Sequence, residues 1–579
     1  MRRLQVIAIL FAGCLVAFTQ AQIPSPRQPG TGRIRGRVVA ADTGVPLRGA
    51  RVVAFIADGQ PPPETVTDTD GRYEFAQLPA GAFFVSASLD GYLSFMFGQR
   101  RVRLMETGTE VSVAAGQTVD RIDISLPRAG VIVVRLTDEA GEPLPGAFVQ
   151  LQRYQYNANG QRRLTPAPTG VRGPSRTDDR GELRAFGLMP GEYTVRASAQ
   201  TIRSADRAIA GDKTEGFSPT YYPGTSRVTD AQFIAVGIGD ERTAQFAMVP
   251  SRLRRVTGTI VTSDGQPATG MDLQLAPGEG ESGIISGAGT AATDGAFTIT
   301  GVPDGRYTLL VRQNSRPSIE DLRAGRTPAS MFGGVRGESA SVPLTVSGAD
   351  VKGLQVFTSR GATISGRVVV ERASTLPATQ ELRVFAVPPG MAGGGWAAAG
   401  SSVYDFPPDV AVADDGSFQL SGVLGRVQLD VAMADSFVKS IAVDGRDITD
   451  QVMDLTGTNA VSGVVITLTD KVANVIGQVR GRDGQPARNY VVVLLPRDPI
   501  EPAAAARWIR TSRADLNENG RFQLRRVRPG RYLAAAVEYM ELGQQFAPEF
   551  QQLIRRGARE LTVVEGQTLT LDLTLTPDI

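Results

Sequence analysis

Short runs of alternating apolar and polar residues recur along the whole chain. Residues 34–39 and 122–126 are typical, with an apolar side chain at every second position over most of each run. This period of two is the spacing of a β-strand with one buried face. Turn-forming residues separate the runs about every 8–12 positions, which is typical of β-sandwiches. The pattern therefore predicts an all-β fold.

One stretch, Asp70 to Phe83, sets the pattern for the rest of the chain. It combines an Asp-Gly turn, a short strand with an aromatic residue, a second turn, and the start of another strand. We expect glycine to supply a positive φ angle in both turns, because it has no Cβ to clash there. The stretch occurs five times, with its two glycines ten residues apart except in the fourth copy, where they are nine apart: Gly71/Gly81, Gly181/Gly191, Gly295/Gly305, Gly416/Gly425 and Gly520/Gly530.

Matching strands precede and follow each copy, so the repeating unit is a domain and not a solenoid repeat. A unit of this size can bury a core of its own. We predict five tandem seven-stranded β-sandwiches. Their predicted bounds are residues 33–127 (domain 1), 128–250 (domain 2), 251–360 (domain 3), 361–471 (domain 4, the divergent copy) and 472–579 (domain 5, with a short helix near 548–557).

The N-terminus has the features of a secretory signal peptide. Two arginines precede an apolar run from Leu4 to Phe18, and small residues stand before Gln22. We predict a signal peptide over residues 1–21 and a Pro/Gly/Ser linker over 22–32. No later segment has the apolar length of a spanning helix. We therefore expect a periplasmic or extracellular protein that is secreted or associated with the envelope.

Composition excludes several kinds of chemistry. The chain has no histidine, and its single cysteine, Cys14, lies in the predicted signal peptide. Ser-His-Asp and Cys-His catalysis, and zinc sites built on thiolates or imidazoles, are therefore impossible in the mature chain. A net charge of +2 gives no basic bias toward nucleic acid. We expect no catalytic residues, no resident metal and no cofactor.

The copies differ mainly in their loops, which is where function is usually added. Several loops carry aromatic residues, whose faces are able to stack on a sugar ring if they are exposed. The alternative is that each ring packs into the core or against its own loop. The candidate ligand-binding residues are Tyr221, Tyr222, Trp396, Tyr404 and Trp508.

Acidic residues offer two further candidates. Asp515, Asn517 and Asn519 begin like a calcium loop, but Arg526 stands where that loop needs a bidentate glutamate. We therefore favour a plain turn there. Paired carboxylates recur at equivalent turns and are expected to be solvated turn residues, the alternative being a hydrolytic or calcium site; they are Asp68/Asp70, Asp178/Asp179 and Asp414/Asp415.

Domain 1 resembles the carboxypeptidase regulatory-like domain. The matching motifs are Gly36-x-Val38, Gly44-x-Pro46-Leu47-x-Gly49-Ala50, Asp70-Gly71-x-Tyr73-x-Phe75 and Leu78-Pro79-x-Gly81. Domains 2, 3 and 5 repeat the pattern, whereas domain 4 lacks the Gly-x-Pro turn and has Val427 in place of the tyrosine. The resemblance implies an Ig-like, transthyretin-like sandwich that is often grouped with carbohydrate-binding folds, in a secreted bacterial multi-repeat protein.

These features favour a non-enzymatic binding or scaffold protein that takes carbohydrate through its loop aromatics, with polysaccharide or envelope proteins as partners. An extracellular hydrolase that uses carboxylates or calcium is one alternative, and a ligand-free stalk is another. Very short linkers between the copies predict a curved string of domains, with a radius of gyration above about 35 Å.

Overall fold

The computed structural model is all-β, with 56% of residues in strands and 5% in helices. It describes residues 30–55, 62–102, 108–171, 175–199, 203–204, 215–277, 285–313, 337–371, 382–389, 408–432, 437–514 and 520–576. The predicted signal peptide and most of the linker lie outside these ranges. No helix within them is long and apolar enough to cross a membrane.

The strands of the first three predicted domains are as follows, in chain order. Domain 1 contains β1 (Gly32–Ala40), β2 (Arg51–Phe55), β3 (Glu64–Val66), β4 (Arg72–Leu78), β5 (Gly81–Ser88), β6 (Phe95–Met96), β7 (Val111–Val113), β8 (Thr118–Val119) and β9 (Ile124–Leu126). Domain 2 contains β10 (Gly130–Thr137), β11 (Phe148–Tyr156), β12 (Arg162–Pro166), β13 (Glu182–Leu188), β14 (Gly191–Ser198), β15 (Arg203–Ser204), β16 (Glu215–Phe217), β17 (Thr220–Tyr221), β18 (Ile234–Val236), β19 (Glu241–Ala247) and β20 (Pro250–Arg252). Domain 3 contains β21 (Arg254–Val261), β22 (Met271–Pro277), β23 (Ile285–Thr290), β24 (Ala296–Val302), β25 (Gly305–Gln313), β26 (Ser339–Val346) and β27 (Val351–Phe357).

Of the last two domains, domain 5 contains both α-helices found in the described residues. Domain 4 contains β28 (Ala362–Glu371), β29 (Arg383–Val387), β30 (Asp409–Ala411), β31 (Ser417–Val423), β32 (Arg426–Ala432), β33 (Phe437–Val443), β34 (Arg446–Asp447), β35 (Met453–Asp454) and β36 (Ala460–Thr469). Domain 5 contains β37 (Ala473–Arg480), β38 (Val491–Pro496), α1 (Ala505–Trp508), β39 (Arg510–Arg513), β40 (Arg521–Val527), β41 (Gly530–Val537), α2 (Pro548–Gly557), β42 (Arg559–Val563), β43 (Thr568–Thr570) and β44 (Leu573–Thr574). Short 3-10 turns cover Val228–Asp230, Pro502–Ala504 and Gln544–Phe546.

Each copy repeats the same two-sheet topology. In domain 1 the opening strand β1 pairs antiparallel with β4 and parallel with the closing strands β8 and β9, while the other sheet has the order β3-β2-β5-β6. Domain 4, despite its divergent sequence, has the equivalent sheets β31-β28-β36-β33-β34 and β30-β29-β32-β35. Seven strands are found in domain 3, and the other copies add short strands to this plan.

Separate buried clusters support the predicted division into domains. The residues of five large clusters fall within 34–126, 132–248, 256–356, 362–468 and 473–573, so each stays inside one predicted range. A sixth cluster belongs to domain 5 and lies between its second sheet and α2. The five-domain division and its bounds are our proposal, and this partition of the core is its support.

The glycine of the opening strand is explained by a close backbone approach. A Cβ atom added at Gly36 would lie 2.0 Å from the carbonyl oxygen of Ile122 in the closing segment. The equivalent glycines of domains 3, 4 and 5 meet a closing-strand carbonyl in the same way, at 2.0, 1.9 and 1.8 Å; they are Gly258, Gly366 and Gly477. The motif glycine therefore lets the two strands approach each other.

The two repeated turns use their glycines differently. The first glycine has a positive φ in all five copies, for example +73° at Gly71, as expected. We expected the second glycine to be left-handed as well. That expectation is wrong for Gly81 and Gly305, whose φ angles are not positive. A left-handed residue lies three or four positions earlier in every copy, at Gln77, Gly187, Gly301, Gly422 and Arg526, and in the fourth copy Gly425 is left-handed too.

That earlier residue belongs to a β-bulge. In each copy the pairing between the opening strand and the strand after the Asp-Gly turn slips by one residue, as between Gly32/Leu78 and Ile34/Phe75. Two residues on the bulged strand then face one on its partner, and the second adopts the left-handed conformation. The bulge is thus a repeated feature of the fold.

The long insertion of domain 2 joins that domain to domain 3. Strand β15 pairs with β24 and so extends a sheet of domain 3 at its edge. Strand β16 pairs with β20, which lies at the boundary between the two domains. The segment of domain 2 that carries β15 and β16 therefore connects the two neighbouring domains.

Candidate functional site: the junctions of domain 5

The insertion of domain 5 that contains α1 is buried against domain 4. Arg507 on α1 is 4% exposed, and its guanidinium donates hydrogen bonds to the carbonyl oxygens of Thr449 and Leu429. Asp430 lies 3.9 Å from the same guanidinium. Burial lowers the pKa of Arg507, while the Asp430 charge opposes that shift. One arginine of domain 5 thus bonds both to strand β32 and to the segment after β34 in domain 4.

Trp508 also belongs to this junction. Its indole Nε1 donates a hydrogen bond to Oδ2 of Asp450 at 2.8 Å. Arg528 lies over the indole ring, 5.3 Å from its centroid, and pairs with Oδ1 of Asp450 at 3.0 Å. The Arg528 guanidinium also donates to the carbonyl oxygens of Val438 and Lys439, both at 3.2 Å. Trp508 was predicted to be a ligand-binding loop residue; the structure places its ring and its N–H in contacts between domains 4 and 5.

A lysine adds an exposed ion pair to the same junction. Nζ of Lys439 in domain 4 lies 2.5 Å from Glu371 in its own domain and 3.1 Å from Glu565 in domain 5. Hydrogen bonds to these carboxylates raise the pKa of Lys439. The domain 4–5 junction therefore has a buried centre and a charged edge.

Domain 2 contacts domain 5 through the tip of its β11–β12 hairpin. The hydroxyl of Tyr156 donates to Glu549 on α2 at 3.1 Å, and Arg153 pairs with Glu541 at 3.0 Å. Burial, together with the hydrogen bond to Glu549, raises the pKa of Tyr156. A Cβ atom at Gly543 would lie 2.4 Å from the Tyr156 carbonyl oxygen, so glycine permits this approach.

Two further contacts bring distant parts of the chain together. Arg101 of domain 1 pairs with Glu538 of domain 5 at 2.8 Å. The Asn159 side chain of domain 2 donates to the Pro389 carbonyl oxygen of domain 4 at 3.0 Å. The contacts do not favour the expected curved, extended string of domains, because short linkers restrict neighbouring domains but do not prevent the chain from folding back.

The other predicted aromatics do not form an exposed platform. Tyr221 is 1% exposed on β17, and Tyr222 is half-buried and packs edge-on against Phe246, with ring centroids 5.9 Å apart. Stacking on a sugar needs an accessible ring face, and the burial of Tyr221 does not favour that role for it. Trp396 and Tyr404 lie outside the described residues. The same holds for the calcium candidates Asp515, Asn517 and Asn519.

The paired carboxylates act as turn residues where they are described. Oδ1 of Asp68 accepts hydrogen bonds from the backbone N–H groups of Asp70 and Arg72, at 2.9 and 2.8 Å. Asp178 makes the equivalent bonds in domain 2, and Asp415 accepts from Ser417 in domain 4. These bonds are Asx turns that close the hairpins. Among the described residues, no group of three acidic side chains is placed to hold a metal ion.

Comparison with known families concerns the first domain. Residues 33–127 match the carboxypeptidase regulatory-like domain. This carboxypeptidase regulatory-like match has the same bounds as domain 1, and the strand order of that domain recurs in the other copies. No curated protein matches the chain.

Several solved structures match parts of this chain at low identity. The minor pilin GBS52 of Streptococcus agalactiae is 15% identical, covering 38% of this chain and 96% of its own, with a TM-score of 0.20. The major pilin subunit BcpA of Bacillus cereus is 10% identical over 59% of this chain and 100% of its own, with a TM-score of 0.14. The Bacillus anthracis TIE protein is 13% identical over 57% of this chain, which spans 51% of that protein, with a TM-score of 0.16. TM-scores this low carry no argument about function or domain arrangement.

Proposed function

We propose that this protein is a non-enzymatic scaffold of the cell envelope, exported by residues 1–21, in which domain 5 holds the other domains in one body. Its partners would be envelope polysaccharides or proteins. The family match of domain 1 supports a non-catalytic role. The absence of histidine, and of cysteine beyond Cys14, removes the commonest nucleophiles and bases from the mature chain.

The observation that carries the proposal is the burial of Arg507 in the domain 4–5 junction. A guanidinium that is 4% exposed and donates to two carbonyls of another domain cannot leave that junction cheaply. Removing it would leave buried acceptors without donors, which costs about 1–3 kcal/mol for each group. A hinge in a flexible chain would not retain such a contact, whereas a rigid scaffold requires it.

Small-angle scattering on residues 22–579 tests this arrangement. One compact body of this length has a radius of gyration of about 25 Å, and five domains in line would reach about 50 Å. We expect the wild-type value to lie below about 35 Å, and Arg507→Ala to increase it. The control is Arg497→Ala, just after β38 in the same domain, since Arg497 is exposed and pairs with Glu560 of its own domain at 2.9 Å. A wild-type value near the in-line estimate, or no effect of Arg507→Ala, would refute the rigid scaffold.

Export is tested separately. Expression in a bacterium with a secretion pathway should give a mature protein that begins at Gln22 and is recovered outside the cytoplasm. Full-length protein in the cytoplasm would remove the envelope from the proposal without affecting the domain arrangement.

Carbohydrate remains the proposed ligand class on narrower support. Tyr222 is the one predicted aromatic among the described residues that keeps partial exposure outside a domain junction. Binding to a glycan array that Tyr222→Ala abolishes would support it, and binding that is unchanged in this variant would exclude Tyr222 as the platform.

A further inference from the structure

The closing strand of domain 3, β27, lies at the edge of its sheet. Within the described residues it pairs with β21 alone, in the sheet order β15-β24-β21-β27. The N–H of Thr358, directly after β27, donates to the Val261 carbonyl oxygen on β21 at 2.9 Å. Successive residues of a strand direct their backbone groups to opposite sides. Gln355 and Phe357 therefore direct their N–H and C=O groups to the open edge.

The same edge carries an exposed aromatic residue. The Phe357 side chain is 65% exposed, more than any other large apolar side chain among the described residues. Native edge strands are usually protected by charges, by bulges or by a covering segment. The exposed Lys352 and the left-handed Gly353 protect the first half of β27, whereas the half from Leu354 to Phe357 has no charge and no bulge. An exposed aromatic residue on this unprotected half indicates an interaction surface.

Domain 4 shows what such an edge accepts. The motif glycine of the opening strand pairs with Leu354 in domain 3 and with Val464 in domain 4, which aligns the two closing strands. By this alignment Phe357 corresponds to Thr467 on β36. Thr467 lies opposite Ser440 on β33, an antiparallel strand that adds to β36 on the side away from β28. The closing-strand edge of this sheet is thus a position where the fold accepts an antiparallel strand.

We infer that β27 pairs with β27 of a second copy of this chain, antiparallel across a two-fold axis. Within one copy, the strands that add to such edges, β15 and β33, come from this chain itself. The open half of β27 is also self-complementary. With Val356 on the axis, Gln355 of one copy lies opposite Phe357 of the other, and the two exchange both N–H···O bonds. The two Phe357 rings then reach each other diagonally across the pair. This inference is independent of the scaffold proposal.

Sedimentation velocity of residues 22–579, at concentrations from about 1 μM to about 1 mM, tests the inference. A ladder this short buries little surface, which is typical of weak complexes. We therefore expect a reversible monomer–dimer equilibrium within this range. A wild type that stays monomeric at every concentration overturns the inference. If that monomer binds a synthetic peptide of residues 437–443, the sequence of β33, the edge takes a strand from another source and the second copy is excluded as its occupant.

Two variants locate the interface. Phe357→Lys should weaken dimerisation at least about tenfold, because it places like charges beside the two-fold axis. Gln355→Pro should weaken it as well, since it removes an N–H that faces the open edge and leaves the pairing with β21 in place. The control, Val66→Lys, changes a residue that is 60% exposed on the edge strand β3 of domain 1, and it should keep the wild-type equilibrium. All three residues are exposed, so each variant should keep the wild-type circular dichroism spectrum. Equal dimerisation of Phe357→Lys and the wild type, or the same loss in Val66→Lys, overturns the inference.

Discussion

Tyrosine hydroxyls close the second repeated turn in three of the copies. Tyr193, Tyr307 and Tyr532 each donate to the carbonyl oxygen four residues earlier, at 2.6, 2.9 and 2.9 Å. Domain 1 has Phe83 at this place and uses another tyrosine. Tyr73 on β4 is 4% exposed. Its hydroxyl donates to the Ile122 carbonyl oxygen at 2.5 Å and so links β4 to the closing segment of the domain.

Removal of that hydroxyl should destabilise domain 1. Tyr73→Phe keeps the ring but leaves a buried carbonyl without its donor, which costs about 1–2 kcal/mol. Urea unfolding of residues 33–127 measures it. Tyr92→Phe is the control. The Tyr92 ring is half-buried, and the arginine that contacts it, Arg128, lies outside residues 33–127. Equal stability of the Tyr73 variant and the wild type would contradict a structural role for the hydrogen bond.

The same hydrogen bond should depend on pH in the alkaline range. Burial, with a smaller contribution from Asp123, raises the pKa of Tyr73 above its ordinary value. An unfolded tyrosine ionises near pH 10, so above this pH the unfolded chain releases a proton that the folded domain retains. Stability should therefore be full below about pH 10 and decline above it. The loss of stability above this pH should be smaller in Tyr73→Phe than in the wild type. If the urea midpoints of the two proteins change in parallel from about pH 8 to 11, the Tyr73 hydroxyl is not the source of the pH dependence.

The left-handed bulge position offers a stabilising substitution. Gln77 has φ +64°, where domains 2, 3 and 4 have glycine. This conformation costs an L-residue about 1–2 kcal/mol, and glycine loses part of that gain to chain entropy. Gln77→Gly should therefore raise the free energy of unfolding of residues 33–127 by about 0.5–1 kcal/mol. The control is Thr118→Gly at an exposed strand position, which should lower the free energy of unfolding. If both substitutions lower it, residue 77 is not strained.

The strands and the late helix were accessible to sequence reasoning because each has a local signal. Alternation predicts the strands, and Asp-Gly or Asn-Gly predicts the first turn, which has a positive φ in all five copies. Proline and glycine at its ends indicated the helix, which spans Pro548–Gly557. The bulge was missed because two of the five copies, at Gln77 and Arg526, have no glycine to signal it.

A domain whose core consists only of its own residues should fold independently of its neighbours. The buried cluster of domain 1 uses residues 34–126, and its contact with domain 5 is an exposed ion pair, Arg101–Glu538. We expect residues 33–127 to unfold in one cooperative transition without a disulfide. Coincident urea curves from fluorescence and circular dichroism would demonstrate this, whereas a broad or probe-dependent transition would show that neighbouring domains complete the core.

Most of the candidate site could not be predicted from the sequence, because it consists of contacts between domains. Arg507 and Arg528 are two of the 61 basic residues, and nothing local distinguishes a junction arginine from a solvated one. The sequence drew attention to Trp508 as a candidate for ligand binding, but its partner Asp450 lies in another domain and has no signal near it in the sequence. The hairpin tip at Tyr156 has the same difficulty, since its partner Glu549 is far away in the chain.

The junctions of domain 5 differ in burial, and this difference predicts how the whole molecule responds to salt. Domains 1 and 2 reach domain 5 partly through the exposed pairs Arg101–Glu538 and Arg153–Glu541, whereas Arg507 and Arg528 are buried between domains 4 and 5. Exposed pairs contribute about 0–1 kcal/mol and are screened by salt. Buried contacts are screened much less. Salt should therefore loosen domain 2 from domain 5 and leave domains 4 and 5 joined.

Fluorescence energy transfer between introduced cysteines measures both distances, because the mature chain has no cysteine of its own. Glu139→Cys with Asp483→Cys reports on domains 2 and 5, and Asp414→Cys with Asp483→Cys reports on domains 4 and 5; all three positions are exposed. From about 0.05 M to about 1 M sodium chloride, the first pair should show a lower and broader transfer efficiency while the second stays constant. If both pairs change together, the buried arginines do not fix domain 4 to domain 5. If neither changes, ion pairs are not what holds domain 2 in place, and the apolar packing of Tyr156 against the α2 cluster must supply that contact.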